Sequence, residues 1–356
     1  MNPAEPAASA KPAPSSKKLR IAVVGTGRIS KFHFAAWQAV ETVEVVAVCD
    51  VDAERARSRA KEYGVPASYT SLTELLDKER VDALDIASPS RAHGEILRLA
   101  AARGIPCLCQ KPLGGNYAEA KKIIAEVSPR IRLMINENRR YLPYFSAARA
   151  WIAKGLLGDI RDATLTAYRS QFLPNPDGSY GGTAATTVGP RLYVNEGMIH
   201  QIDVMRSMLG PMSVIACRML HTGAGLEGDT VCTLFMETKA GSPVVIAGNN
   251  VAIGYTDRFN DKFEIHGSKA SLAWDGTVLR LLGPEPQEVR FDTQGQYAEI
   301  YQSCFTSAAH IFADAIMTGA PFETDGPDNL QTLEIVEEAY RLSRPAATTK
   351  SSAQSC

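Results

Sequence analysis

The sequence predicts an α/β protein in two parts: a doubly wound parallel sheet, then an α+β half with a large, open, mainly antiparallel sheet. Three observations predict it. A β-branched run, Ile21-Ala-Val-Val24, enters the glycine pair Gly25-Thr-Gly27, and a second apolar strand, Val45-Val-Ala-Val-Cys-Asp50, ends in an acid. Strand and helix patterns then alternate to about Asn136, the texture of buried parallel strands with crossover helices. Beyond Leu142 the chain changes to short alternating segments, the signature of half-buried antiparallel strands.

In chain order, apolar strands are expected at 21–25, 44–49, 82–87, 105–109 and 131–135. Helical patterns lie between them at 30–40, 52–63, 71–78, 92–103 and 117–127. In the last of these Tyr117, Ala120, Ile123, Ile124 and Val127 form one apolar stripe. A helix at 146–154 leads into strands at 162–169, 214–221, 230–237, 244–253, 262–266, 270–274, 277–282 and 288–291. Helices return at about 300–318 and 327–342. The domain plan is a disordered tail over 1–19, a dinucleotide-binding Rossmann domain over 20–138, a substrate-binding and oligomerisation domain over 139–344, and a flexible tail over 345–356. One face of so large a sheet takes helices. The other is expected to take a second copy, giving a homodimer or homotetramer through the C-terminal sheet.

Bulk properties narrow the function. A length of 356 residues fits two domains better than one. A net charge of −1 removes the electrostatic case for nucleic acid or an anionic membrane surface. No apolar run approaches the roughly 20 residues that span a bilayer. Met1 to Lys18, rich in Ala, Pro and Ser, lacks the apolar centre of a secretory signal. The seven cysteines are scattered and odd in number, which points to reduced thiols and a cytoplasmic location. Cys107 and Cys109 share a strand face, but no second Cys or His pair has zinc spacing, so no metal is expected.

The glycine loop predicts a bound dinucleotide. Gly25 allows a sharp turn, Gly27 lets the backbone approach a pyrophosphate, and the helix starting near Ile29 aims its amides at the phosphates. Thr26 and Arg28 complete that loop. Asp50 is placed to accept hydrogen bonds from the ribose hydroxyls and to repel a 2′-phosphate, which favours NAD over NADP. Ser30, where the pattern usually has Gly or Ala, is small enough for close helix–strand packing.

Two segments carry candidate chemistry. Cys109-Gln-Lys-Pro112 ends a parallel strand, so Lys111 projects into the crevice at the carboxyl ends of the strands, where a lysine can polarise a carbonyl or steady an alkoxide. On the Asn195–Asp203 segment, taken as a helix at about 100° per residue, Met198, Ile202, Met205 and Leu209 form the buried stripe. Glu196, His200, Asp203 and Ser207 then cluster on the opposite side, which suits an acid–base histidine with an orienting carboxylate. An exposed polar face on an ordinary amphipathic helix fits the same spacing.

Taken together, Gly25-Thr-Gly27, Asp50, Ser88-Pro-Ser-Arg-Ala-His93, Gln110-Lys-Pro112, Asn138-Arg-Arg-Tyr-Leu-Pro143, Gly155-Leu-Leu-Gly158, His200-Gln-Ile-Asp203 and Ile265-His-Gly267 resemble, in order, the Gfo/Idh/MocA family, the glucose–fructose oxidoreductase and inositol dehydrogenase group. The resemblance implies hydride transfer between NAD(P) and a carbinol carbon of a sugar, polyol or derivative. It assigns Lys111 and His200 to the family's catalytic lysine and histidine, and Ser88, Pro89, His93, Gln110 and Lys111 itself are expected on the cofactor side. The family usually has Glu where this chain has Gln110, and Asp where it has Glu196, so either Glu196 or Asp203 is left to orient His200. Gln110 is expected to bond the nicotinamide ribose or Lys111. The Gln-Lys-Pro variant together with Glu137-Asn-Arg139 resembles a sugar dehydrogenase branch that includes apiose dehydrogenases.

Asn138, Arg140 and Tyr141 are expected to shape the substrate pocket, with Tyr168, Arg191 and Tyr193 as further contacts. The Gly-, Thr- and Pro-rich segment 172–190, with Tyr180, reads as a lid or as a surface loop. Two other functions are compatible with the same residues: an enzyme that retains NAD while epimerising or cleaving a sugar, and a non-catalytic regulatory protein that senses a dinucleotide.

Overall fold

The computed structural model describes residues 18–179, 189–222, 226–256, 258 and 260–343. The first half is a six-stranded parallel sheet built from β1 (Leu19–Val24), β2 (Val43–Cys49), β3 (Ala67–Tyr69), β4 (Ala83–Ile86), β5 (Cys107–Gln110) and β6 (Leu133–Asn136), in the order β3-β2-β1-β4-β5-β6. Its crossovers are α1 (Ser30–Gln38), α2 (Ala53–Tyr63), α3 (Leu72–Lys78), α4 (Ser90–Ala102) and α5 (Tyr117–Val127). The central strands are buried on both faces, with Ile21, Ala22, Val23, Leu84 and Ile86 fully enclosed, which is why they read as unbroken apolar runs. The strand order reverses between β1 and β4, and a ligand crevice forms at such a switch point. The short strand β3 carries no periodic signal and was not expected from sequence.

A 3₁₀ turn (Asn138–Tyr141) and α6 (Pro143–Ala153) connect to the second half. There β7 (Ile160–Tyr168), β8 (Met212–Leu220), β9 (Val231–Thr238), β10 (Pro243–Asn249), β11 (Asp261–Gly267), β12 (Ser271–Trp274), β13 (Val278–Leu282) and β14 (Gln287–Arg290) form one sheet, ordered β14-β13-β12-β11-β7-β10-β9-β8. All pairings are antiparallel except β7 with β10. Each expected segment of this half corresponds to a strand, because alternation marks one buried and one open face. On β9, for example, Cys232, Leu234 and Met236 are buried, whereas Thr233, Phe235 and Glu237 are exposed.

Between β7 and β8 the chain forms a π-helical turn (Val194–Met198) that runs into α7 (Ile199–Leu209). Two long helices follow the sheet, α8 (Tyr297–Thr318) and α9 (Gly326–Leu342), and both return to the first half. Gln302 donates to the Phe32 carbonyl on α1, and Arg132 donates to the Ala315 and Ala320 carbonyls. The Ile135 amide donates to the Thr324 carbonyl at 2.7 Å, so the free edge of the parallel sheet is closed by the segment leading into α9. Among the described residues no helix is long and apolar enough to cross a membrane.

Candidate active site

The glycine loop is shaped by one tight contact and one open one. At Gly25, with φ +98°, a Cβ would lie 2.5 Å from the Ser88 amide nitrogen, so only glycine lets the ends of β1 and β4 meet. At Gly27 a Cβ would meet nothing within 4 Å, so this part of the loop borders open space at the start of α1. The N-terminus of α1 has no side-chain cap and no acid in its first turn, which leaves its dipole available to an anion. The Thr26 amide and hydroxyl donate to Asp50 Oδ2 at 2.8 and 2.9 Å, while the Asp52 amide and Arg55 donate to Oδ1. Burial pushes the Asp50 carboxyl up, but these hydrogen bonds outweigh it and hold the group below the usual carboxylate range. Open space, an uncapped helix and an ionised acid at the end of β2 fit a dinucleotide. Arg28 is exposed and Ile29 half-buried beside the loop; Pro89 is exposed at the start of α4. The Ser88 hydroxyl is buried with no hydrogen-bond partner among the described residues.

His93 does not have the placement expected of a cofactor contact. Its ring is fully buried between the Ser88 carbonyl (2.8 Å) and the Pro112 carbonyl (3.1 Å), so it ties the β4 and β5 loops together. Gln110 also turns inward. Its Nε2 meets His33 Nε2 at 2.8 Å, and its Oε1 accepts from the Lys111 backbone amide. His33 in turn contacts Asp85, which also accepts from Trp37 Nε1 at 2.6 Å. Asp85 is fully enclosed, so a neutral Gln110 spares this network a second buried negative charge.

Lys111 follows directly at the end of β5. Its Nζ donates to the Glu196 carbonyl at 2.8 Å and lies 3.3 Å from Glu196 Oε2. The contact exists because residues 194–198 form a π-helical turn, in which the Ile199 amide bonds the Val194 carbonyl. The extra residue in that turn rotates Glu196 away from the position that uniform helical counting assigns to it. Gly197 is needed there: a Cβ would sit 2.9 Å from the Tyr193 ring.

His200 is held by a residue that sequence spacing missed. Its Nδ1 lies 2.8 Å from Glu137 Oε2, and Nε2 makes no hydrogen bond among the described residues. Burial pushes the His200 imidazolium well below the usual histidine range, and the Arg139 and Lys111 charges add to this, so the ring is neutral near pH 7. Burial pushes Glu137 up to about 7 against the pull of Lys111 and Arg140. Glu137 closes β6, at the same strand ends that singled out Lys111, and that rule applied to β6 would have found it.

Asp203 is placed elsewhere. It is gripped by Arg140 through Nε (2.6 Å) and Nη2 (2.7 Å) and accepts from Thr332 at 2.8 Å. Arg140 and Arg206 both reach Asp328 as well. Asp203 therefore orients no part of His200, and Arg140 is enclosed in an ion cluster instead of lining a pocket. Tyr193 is another correction: it is 2% exposed, in the core, with its ring edge-on to Phe172. Arg191 pairs with Glu337 at 2.9 Å and stacks over Tyr340, both on α9. Tyr141 is buried beside Thr324 and Glu323. Asn138 is buried with an unpaired Nδ2 next to Glu137, and Tyr168 is half-buried against Tyr255. Tyr180 lies outside the described residues.

A parallel sheet with a glycine-loop crevice, flanked by a lysine and a buried neutral histidine, defines a nucleotide-dependent oxidoreductase. Residues 19–135 match the model of an oxidoreductase family with an NAD-binding Rossmann fold, and residues 145–273 match the GFO/IDH/MocA C-terminal domain. The chain is 31% identical over 333 residues to the rhizopine catabolism protein MocA of Rhizobium meliloti, covering 91% of this chain and 95% of that one. It is 26% identical over 345 residues to a D-apiose dehydrogenase of Paraburkholderia graminis, covering 93% and 89%. A solved oxidoreductase from Agrobacterium radiobacter, in complex with NAD+, L-tartaric acid and magnesium, superposes with a TM-score of 0.84 at 22% identity, covering 92% of this chain and 96% of that one. The chain belongs to the Gfo/Idh/MocA oxidoreductase family.

Proposed function

We propose that the protein is an NAD-dependent dehydrogenase that oxidises a carbinol carbon of a sugar, polyol or sugar derivative. The observation that supports this reading is that Lys111 follows the end of β5 and that His200, through Glu137, meets the end of β6, the same strand ends at which the Gly25–Gly27 loop closes β1. Bound NAD supplies the acceptor for the carbinol hydrogen and its electron pair. His200, neutral and with Nε2 unengaged, accepts the hydroxyl proton. Lys111 donates to the same oxygen and steadies its negative charge as the C–O bond shortens. Asp50 holds the adenosine ribose. The apiose dehydrogenase relative supports a polyhydroxylated substrate.

The purified protein, given NAD and a panel of aldoses, polyols and sugar acids, is expected to form NADH with at least one of them. Product formation without NADH would favour the NAD-retaining reading instead. We also propose that a second copy covers the open face of the second sheet, where Phe235 and Leu220 are each 40% exposed. Light scattering is expected to give at least a dimer for the wild type and a smaller species for Phe235→Asp.

A further inference from the structure

We propose that Glu137 is the positioning residue of His200: it fixes the ring tautomer and balances the charge formed when Nε2 takes the substrate proton. The inference rests on the dehydrogenase reading above, and three placements carry it.

First, the other two acids near His200 are spent. Glu196 gives Oε2 to Lys111 and Oε1 to the Asn195 amide, and Asp203 gives both oxygens to Arg140, with Oδ1 also accepting from Thr332. Glu137 Oε2 alone meets the imidazole, at 2.8 Å. Second, the carboxylate only accepts, so the bond requires the proton on Nδ1 and leaves the Nε2 lone pair for substrate. Third, Glu137 Oε1 is buried with no hydrogen-bond partner among the described residues, so the carboxylate keeps an unused acceptor beside the ring.

The surroundings make this counter-charge necessary. Lys111 from β5, Arg139 and Arg140 from the 3₁₀ turn, Arg206 from α7 and Arg169 beyond β7 bring positive charge to this site, and Asp203 opposes them. A lone imidazole among those cations resists a second proton. With Glu137 ionised, protonating Nε2 makes a neutral pair instead of adding a further cation. In the step itself the carbinol O–H bond breaks, its electron pair stays on oxygen, and its proton forms the Nε2–H bond. The Nδ1–H proton stays shared with Glu137 Oε2. The acid that the family pattern places four residues before the histidine, here Glu196, holds Lys111 instead.

The test does not need turnover. In the ¹⁵N spectrum of the full-length protein at about pH 9, where Glu137 is ionised, with His200 assigned by its loss in His200→Gln, the ring is expected to carry its proton on Nδ1. This is the opposite of the tautomer a free imidazole side chain prefers. Glu137→Ala is expected to return the ring toward the Nε2–H form, and Glu196→Gln to leave it unchanged. An Nε2–H ring in the wild type would overturn the proposal, whether or not any sugar is oxidised. Where a substrate is found, Glu137→Gln is expected to lower kcat tenfold or more with little change in KM or NADH binding. It is also expected to abolish the rise of kcat with pH through neutrality. A wild-type kcat and pH profile in Glu137→Gln would overturn the proposal as well.

Discussion

Two charge clusters meet α7 one turn apart, and burial serves them differently. Around Asp203 each charge has a partner: Arg140, Arg206, Asp328 and Thr332 close the network, and Asp203 is 1% exposed. Around His200 hydrogen-bonding capacity stays open: among the described residues Nε2 and Glu137 Oε1 have no hydrogen-bond partner, and the Lys111 side chain is 13% exposed. A closed cluster fixes the position of the helix; an open one can exchange a proton. Spacing along the helix assigns Asp203 and Glu196 to the same face as His200, yet chemical availability depends on which partners close over each group.

The comparison can be broken by removing one member from each cluster. Asp203→Ala leaves Arg140 buried with its main counter-charge gone, and is expected to cost about 3–5 kcal/mol of stability, read as a lower denaturant midpoint. If the folded variant is instead as stable as wild type, the cluster is not structural. In the open cluster the sign reverses. The Glu137 carboxyl is raised from 4.5 to about 7, so the stability it contributes below 4.5 is lost as pH climbs through 7. Glu137→Gln removes that titration, so its stability relative to wild type is expected to rise by up to about 3 kcal/mol between pH 4.5 and pH 8. Parallel stability curves for the two proteins across that range would show that burial does not penalise the charged form. Glu196→Gln keeps the shape but removes the negative charge from Lys111. It is expected to change turnover by about tenfold and melting temperature little. The smallest effect is expected at Arg191→Ala, since the pair with Glu337 is partly exposed: a loss of about 1 kcal/mol or less, with KM unchanged. A large rise in KM would put Arg191 back among the substrate contacts.

Apart from the short β3, the strands were legible because each sheet prints its burial on the sequence, as unbroken runs such as Ala83–Ile86 in the first half and alternation such as Val231–Thr238 in the second. The loop from Gly25 to Gly27, Asp50 and Lys111 was legible because strand ends and glycine geometry are local. Glu137 also follows a strand end, but its pairing with His200 was not legible, because that link joins residues 63 apart in the chain. The π-helical turn also escaped, since it shifts Glu196 without altering the apolar stripe of Met198, Ile202 and Met205. Tyr193 and Arg191 look like pocket residues by type and neighbourhood, but the core and α9 claim them.

The central claim is that Lys111 and His200 perform chemistry at a site whose cofactor is held by other residues. Measuring NADH affinity by fluorescence alongside kcat on a panel substrate, for Lys111→Ala and His200→Ala, tests it most directly. Each variant is expected to bind NADH as the wild type does, with kcat reduced by roughly 10²–10⁴. Full activity in both variants, or loss of NADH binding that accounts for the lost rate, would contradict it.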